Sequence, residues 1–144
     1  MDERMEMIAA ALEQTNMDWT GCFETTVWIG DNDYRIVVSD GSECVEVKAW
    51  FLEPADRSRY EVVSERIAEI NESLPCGSFS LDEARATIAY RVHDLTDDAT
   101  VSAQRVYALL NFCREALERY GDELCQLQEE PEPILFRILS KLFA

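Results

Sequence analysis

The order in which hydrophobic periodicity changes along this chain limits what it can fold into more than any single motif. Residues 2–16 place Met5, Ile8, Ala9 and Leu12 at i, i+3, i+4 and i+7, one stripe of an amphipathic helix, with Asp2 and Glu3 beside its positive N-terminal end. Period two then takes over. In residues 19–29, Trp19, Phe23, Val27 and Ile29 face one way, and Cys22, Glu24 and Trp28 the other. Gly30-Asp31-Asn32-Asp33 is turn chemistry, Tyr34 to Val38 continues as a strand, and Asp40-Gly41-Ser42-Glu43 turns again into Cys44–Leu52. After Pro54, Ser58-x-x-Glu61 reads as a capping box opening a second helix striped by Tyr60, Val63, Ile67, Ile70 and Leu74. Cys76–Asp82 and Arg85–His93 form a hairpin around Glu83-Ala84. A third helix over 100–125 carries Val106, Leu109, Leu110, Cys113, Leu117, Tyr120 and Leu124. The order is α-β-β-β-α-β-β-α, an α+β class with an antiparallel sheet packed with helices.

Turn positions set an expected register. Centring the first turn on Asp31-Asn32 pairs Val27 with Ile36 and Ile29 with Tyr34. Centring the second on Gly41-Ser42 pairs Val38 with Val45, Ile36 with Val47 and Tyr34 with Ala49. The hairpin around Glu83-Ala84 pairs Phe79 with Ile88 and Leu81 with Ala86. All these residues lie on one apolar face. The opposite face places Thr26, Val37 and Glu46 in one row, Trp28, Arg35 and Lys48 in the next, and Trp50 opposite Asp33.

Residues 1–128 are expected to form one α+β domain, and residues 129–144 a Pro-bounded spacer and an apolar helix. The spacer is Glu129-Glu130-Pro131-Glu132-Pro133. Ile134 to Phe143 then carries Ile134, Leu135, Phe136, Ile138, Leu139, Leu142 and Phe143 with no acid, and Arg137 and Lys141 on the remaining side. Isolated helices of this length are marginal in water, so the apolar stripe needs a surface: its own domain, a second subunit or a partner.

Charge narrows the choice of partner. With 13 basic and 29 acidic residues, the formal net charge is −16. That argues against nucleic acid or an anionic membrane as partner and favours a basic protein. The five cysteines, Cys22, Cys44, Cys76, Cys113 and Cys125, contain no CxxC pair, which reads as reduced thiols in a cytoplasm. The Met-Asp-Glu-Arg start has no apolar core of signal-peptide length, and no run of roughly 18 apolar residues occurs. Cytoplasm is the expected compartment.

Catalytic and cofactor signals are sparse. The single histidine, His93, stands at a strand end beside Asp94, far in sequence from every cysteine, so a Cys-His pair could assemble only through folding. Asp97-Asp98 leads a helix, where acids ordinarily serve the cap and the dipole. Asp31-Asn32-Asp33 fails as a calcium loop, because the sixth and twelfth positions are Ile36 and Ser42 instead of Gly and Glu. Neither GxGxxG nor a Walker sequence is present. No cofactor or metal is expected.

A helix ending at Ile70-Asn71, then Gly77-Ser78-Phe79 with Leu81, and an acidic cluster before the last helix carry a resemblance over roughly residues 2–125. The chain resembles the YbjN family of small bacterial proteins, which shares the fold of type III secretion chaperones. The resemblance implies a sensory-transduction regulator or chaperone-like protein without a known active site. Its chaperone branch is acidic and dimeric and grips extended segments of clients. The apolar tail, 129–144, has no match in the family core.

The sequence therefore points to a non-catalytic cytoplasmic protein-binding module, chaperone-like or regulatory, acting as a homodimer. Trp28, Val37 and Trp50 on the outer sheet face, with Leu135, Ile138, Leu139 and Leu142 of the tail, are the candidate partner or dimer contacts, since exposed apolar patches mark interaction sites and tryptophan is favoured there. The competing reading of the outer face is cover by a helix of the same chain. The alternative function is a small enzyme with a thiol or carboxylate centre assembled from distant residues.

Overall fold

Helix α1 (Glu3–Glu13) precedes a meander of β1 (Glu24–Ile29), β2 (Asn32–Asp40) and β3 (Val45–Phe51); α2 (Tyr60–Ser73), β4 (Ser78–Asp82), β5 (Thr87–His93) and the long α3 (Ala103–Leu127) follow. These elements come from a computed structural model that describes residues 3–15, 17–20, 23–40, 44–94, 103–129 and Leu142. Among the described residues, five strands form one antiparallel sheet in the order β1-β2-β3-β5-β4. This is the α+β order expected, and the helices lie on one face of the sheet.

All three hairpins close two residues away from the expected register. Val27 faces Tyr34 and Ile29 faces Asn32, so the first loop is Gly30-Asp31. Gly30, at φ +61, supplies the left-handed first position that a type II′ turn requires. Val38 faces Val47 and Asp40 faces Val45, which lengthens the second loop. Phe79 faces Tyr90 and Asp82 faces Thr87, with Ala86 left-handed at φ 52 before β5. A shift of two residues returns each side chain to its own face, so the apolar pattern is indifferent to it. One consequence lies on the outer face: Trp50 stands opposite Arg35, not Asp33.

The inner face buries Tyr34, Ile36 and Val38 of β2, Val45, Val47, Ala49 and Phe51 of β3, and Ile88, Tyr90 and Val92 of β5. Against it lie Val63, Ile67 and Ile70 of α2 and the whole expected stripe of α3. Helix α1 is rotated from expectation: Ile8, Ala11 and Leu12 are buried, whereas Met5 is exposed. Trp19 and Phe23 pack on the core as expected but precede the strand, which starts at Glu24 after the left-handed Phe23 (φ 57). The capping box does not form. Asp56 caps instead, accepting from Ser58 N at 2.9 Å ahead of a single 3-10 turn, and α2 opens at Tyr60.

Candidate partner-binding site

A sheet of five strands has two edges, and this chain treats them differently. At the β4 edge, Asn71 of α2 reaches over to Phe79: Nδ2 donates to the Phe79 carbonyl at 2.9 Å, and Oδ1 accepts from Phe79 N at 2.8 Å. One side chain thereby stands in for a neighbouring strand at Phe79 and closes the edge there. Gly77, at φ +75, lets the chain enter β4 past Tyr90, whose hydroxyl donates to the Cys76 carbonyl at 2.8 Å.

The β1 edge is covered only at its start. Glu24 O accepts from Thr20 N (2.9 Å), Glu24 N donates to Thr20 Oγ1 (3.3 Å), and Thr25 Oγ1 donates to the Asp18 carbonyl (2.7 Å). Val38 N donates to Phe23 O, which makes Glu24 and Val37 a non-hydrogen-bonded pair. By alternation, the N–H and C=O groups of Thr26 and Trp28 also point away from β2. Among the described residues these outward groups have no hydrogen-bond partner.

Beside this edge lies a groove of about 960 Å³ between β1 and α3, closed at one end by the residues after α1. Val27, Trp28 and Ile29 form one wall, and Tyr107, Leu110 and Arg114 the other. The groove has no signature in the sequence pattern. A first strand in a meander is a candidate edge, but nothing in the α3 stripe announces that Tyr107 and Arg114 flank a cleft.

Trp28, Val37 and Trp50 share the outer sheet face, as their alternation requires. Trp28 is 67% exposed, while Val37 and Trp50 are half-buried. No helix among the described residues covers this face. Trp50 is contacted by two cations, with Lys48 Nζ at 4.0 Å and Arg85 Cζ at 4.4 Å from its ring centroid. Arg35 stands opposite Trp50 across β2 and β3, and Arg91 opposite Lys48 across β3 and β5. Arg91 is paired with Glu46 at 2.7 Å, whereas Arg35 and Lys48 have no ion-pair partner among the described residues. The centre of this face is locally basic and aromatic in a chain of net charge −16. Leu135, Ile138 and Leu139 lie outside the described residues; Leu142 is 70% exposed.

Elsewhere the chemistry is that of a core. Burial pushes the Cys113 thiol up to about 12 and the Cys125 thiol up to about 11, opposite to what a nucleophile needs. Burial likewise raises Tyr34, whose hydroxyl lies 3.9 Å from Cys125 Sγ, and Tyr90. Among the described residues no group of three His, Cys, Asp or Glu side chains is placed to hold a metal ion. No helix among them is long and apolar enough to cross a membrane.

An antiparallel sheet in this strand order with helices on one face is a type III secretion chaperone-like fold. The chain belongs to the YbjN family, whose model, described as "Putative bacterial sensory transduction regulator", matches residues 3–126. Its fold is similar to YbjN from E. coli (TM-score 0.56, 12% identity, 83% of this chain and 92% of that one). It is also similar to a chain of the ExsC-ExsE complex (TM-score 0.50, 14% identity, 83% and 96%). A third likeness is to a chain of the HopA1-SchA chaperone-effector complex (TM-score 0.50, 11% identity, 83% and 91%). No curated protein matches the sequence.

Proposed function

We propose that this chain is a non-catalytic, cytoplasmic protein-binding module of chaperone-like or regulatory role, working as a homodimer. An extended partner segment adds to β1 at Thr26 and Trp28 and lays alternate side chains into the groove against Val27, Ile29 and Leu110. Main-chain bonds at such an edge give affinity, and pockets for alternate side chains give selectivity. Trp28, Val37 and Trp50 extend the contact over the outer face, and Leu135, Ile138, Leu139 and Leu142 of the tail contribute to partner or dimer contact. The net charge of −16 raises the association rate for a partner that is basic overall. The observation that carries this reading is the pair of outward-facing, unpartnered backbones at Thr26 and Trp28 beside an open groove. Structural likeness to chains from a chaperone-effector complex supports it.

The test is capture of partners from a native lysate with wild-type bait and with Thr26→Pro and Trp28→Ala/Trp50→Ala baits. Pro at 26 removes an N–H that β2 does not use, so the fold persists while strand addition is blocked. Proteins held by the wild type and lost by both variants support the reading. The same set on all baits overturns it.

A further inference from the structure

The open edge is also unguarded. From Thr25 to Ile29, β1 has no charged residue and no proline, the usual protections of an edge strand. Its one charge, Glu24, stands where Thr20 already bonds the edge. Thr26 and Trp28 each turn an N–H and a C=O outward, while Val27 between them bonds to Tyr34 of β2. On the outer face Thr26 is small and Trp28 is exposed. Arg35, beside Thr26 on β2, has no ion-pair partner among the described residues.

These open groups suit one antiparallel register with an identical strand. When Thr26 of one copy faces Trp28 of the other, about a twofold axis through Val27, both residues of both copies find partners and four main-chain hydrogen bonds close. Thr26 on Thr26 would set Trp28 against Glu24, whose edge groups Thr20 already holds, and would close only two. Trp28 on Trp28 would bring Thr26 to Gly30, where the strand has ended in its turn. In the favoured register Glu24 falls opposite Gly30, so β1 brings no like charges together. Each Trp28 then lies beside the second copy's Thr26, one small side chain away from the cationic Arg35.

We propose that this edge is the surface on which two copies of the chain meet, β1 to β1 and antiparallel, joining two five-stranded sheets into one. A twofold axis normal to the sheet keeps all the helices on one side, so the two grooves face each other with Val27 of both copies between them. The proposal deepens the reading above and rests on its edge assignment. Partner segment and second copy compete for Thr26 and Trp28, and the homodimer is the form that precedes partner binding. Repulsion between two copies of net charge −16 opposes the contact, so the dimer forms most readily in salt.

Purified full-length protein tests the contact without any partner, which separates its failure from a failure to capture proteins at the same edge. Sedimentation in salt over a concentration series is expected to show a monomer–dimer equilibrium. Thr26→Pro, which removes an N–H that β2 does not use, weakens that equilibrium by about tenfold or more. Val27→Cys places two thiols at the axis with Cα atoms about 4.5 Å apart, so oxidation links the copies. Ile29→Cys places them about 13 Å apart and links no more than wild type with its native thiols. A wild type that stays monomeric at every concentration overturns the proposal. So does a dimer that Thr26→Pro leaves intact, or one in which Val27→Cys links no better than Ile29→Cys.

Discussion

Asn71 bonds both backbone groups of Phe79 from outside the sheet, at 2.9 and 2.8 Å, and in doing so joins the last turns of α2 to an edge strand. Two half-buried hydrogen bonds are lost together in Asn71→Ala, which leaves Phe79 N–H and C=O unpaired. The expected cost is about 1–3 kcal/mol in a urea titration. Asn71→Asp keeps the acceptor and places a carboxylate against the Phe79 carbonyl, so it is no milder. Phe79 amide exchange accelerates in Asn71→Ala, which loses the acceptor of that N–H. An Asn71→Ala protein as stable as wild type would remove Asn71 from any structural role.

Gly121 occupies the middle of α3, where alanine ordinarily gains about 1 kcal/mol over glycine. Here the sign reverses, because a Cβ would collide with the Tyr34 hydroxyl. Gly121→Ala is expected to destabilise by about 1–3 kcal/mol through overpacking. Tyr34→Phe removes the offending oxygen, so the double variant recovers part of the loss. A double-mutant cycle in urea with no coupling would refute the close approach of helix and sheet.

The same residues show how much of the fold was legible beforehand. Element order, the buried face of each strand and the whole α3 stripe followed from periodicity, because burial enforces it. Register did not follow: Val27 can face Ile36 or Tyr34 with no change in what is buried, and the left-handed Gly30 decides the matter. The capping box failed for a related reason. Asp56, two residues before Ser58, competed for the same backbone N–H. The Ile70-Asn71 and Gly77-Ser78-Phe79 stretches were visible as a family likeness, but their physical content, an edge closed by one amide, needs the chain folded across seven intervening residues. The groove beside β1 was invisible, since it is a gap between elements and no residue pattern encodes it.

Exposure and burial separate the two aromatic positions most useful for dissecting function from fold. Phe79 meets the rings of Tyr90, Phe51 and Tyr120 edge-on at 5.2, 6.3 and 6.4 Å and is 2% exposed. Phe79→Ala therefore costs about 3–5 kcal/mol. Trp28→Ala, at an exposed site, changes stability by no more than about 0.5 kcal/mol while partner binding falls. Thermal unfolding of the two variants side by side checks this; a large loss in Trp28→Ala would make that indole part of the core.

Arg66 links α2 to α3 by gripping both oxygens of Glu123, with Nη2 at 3.0 Å from Oε1, while Nη1 bonds Glu69 at 3.0 Å. The Arg66 hydrogen bonds hold the Glu123 carboxyl below its usual range. A depressed carboxyl contributes stability above its unfolded pKa, near 4.3, and loses it as pH falls through the folded value. Glu123→Gln is thus less stable than wild type at neutral pH, and the two converge in acid once pH has fallen through the depressed folded value. Urea midpoints measured at both ends check the sign. A constant gap between the two proteins would show that Glu123 carries no linked proton.

Thiol reactivity bears on the rival reading, an enzyme with a cysteine nucleophile. Cys113 is fully buried, and Cys125 is 4% exposed with the Tyr34 hydroxyl beside it. Desolvation raises both thiols, to about 12 and about 11, so each is protonated at neutral pH and sheltered from reagent. Both are expected to resist a chromogenic disulfide in the native state and to react once urea unfolds the chain, whereas the half-buried Cys44 and Cys76 react earlier. The linked prediction has a sign as well. A raised folded pKa favours folding below the unfolded value, near 8.5, and that advantage drains away as pH climbs towards about 11 and beyond. Rapid native-state labelling of Cys113 or Cys125 at neutral pH would reveal a thiolate that burial forbids, and would restore catalysis as the better account of the chain.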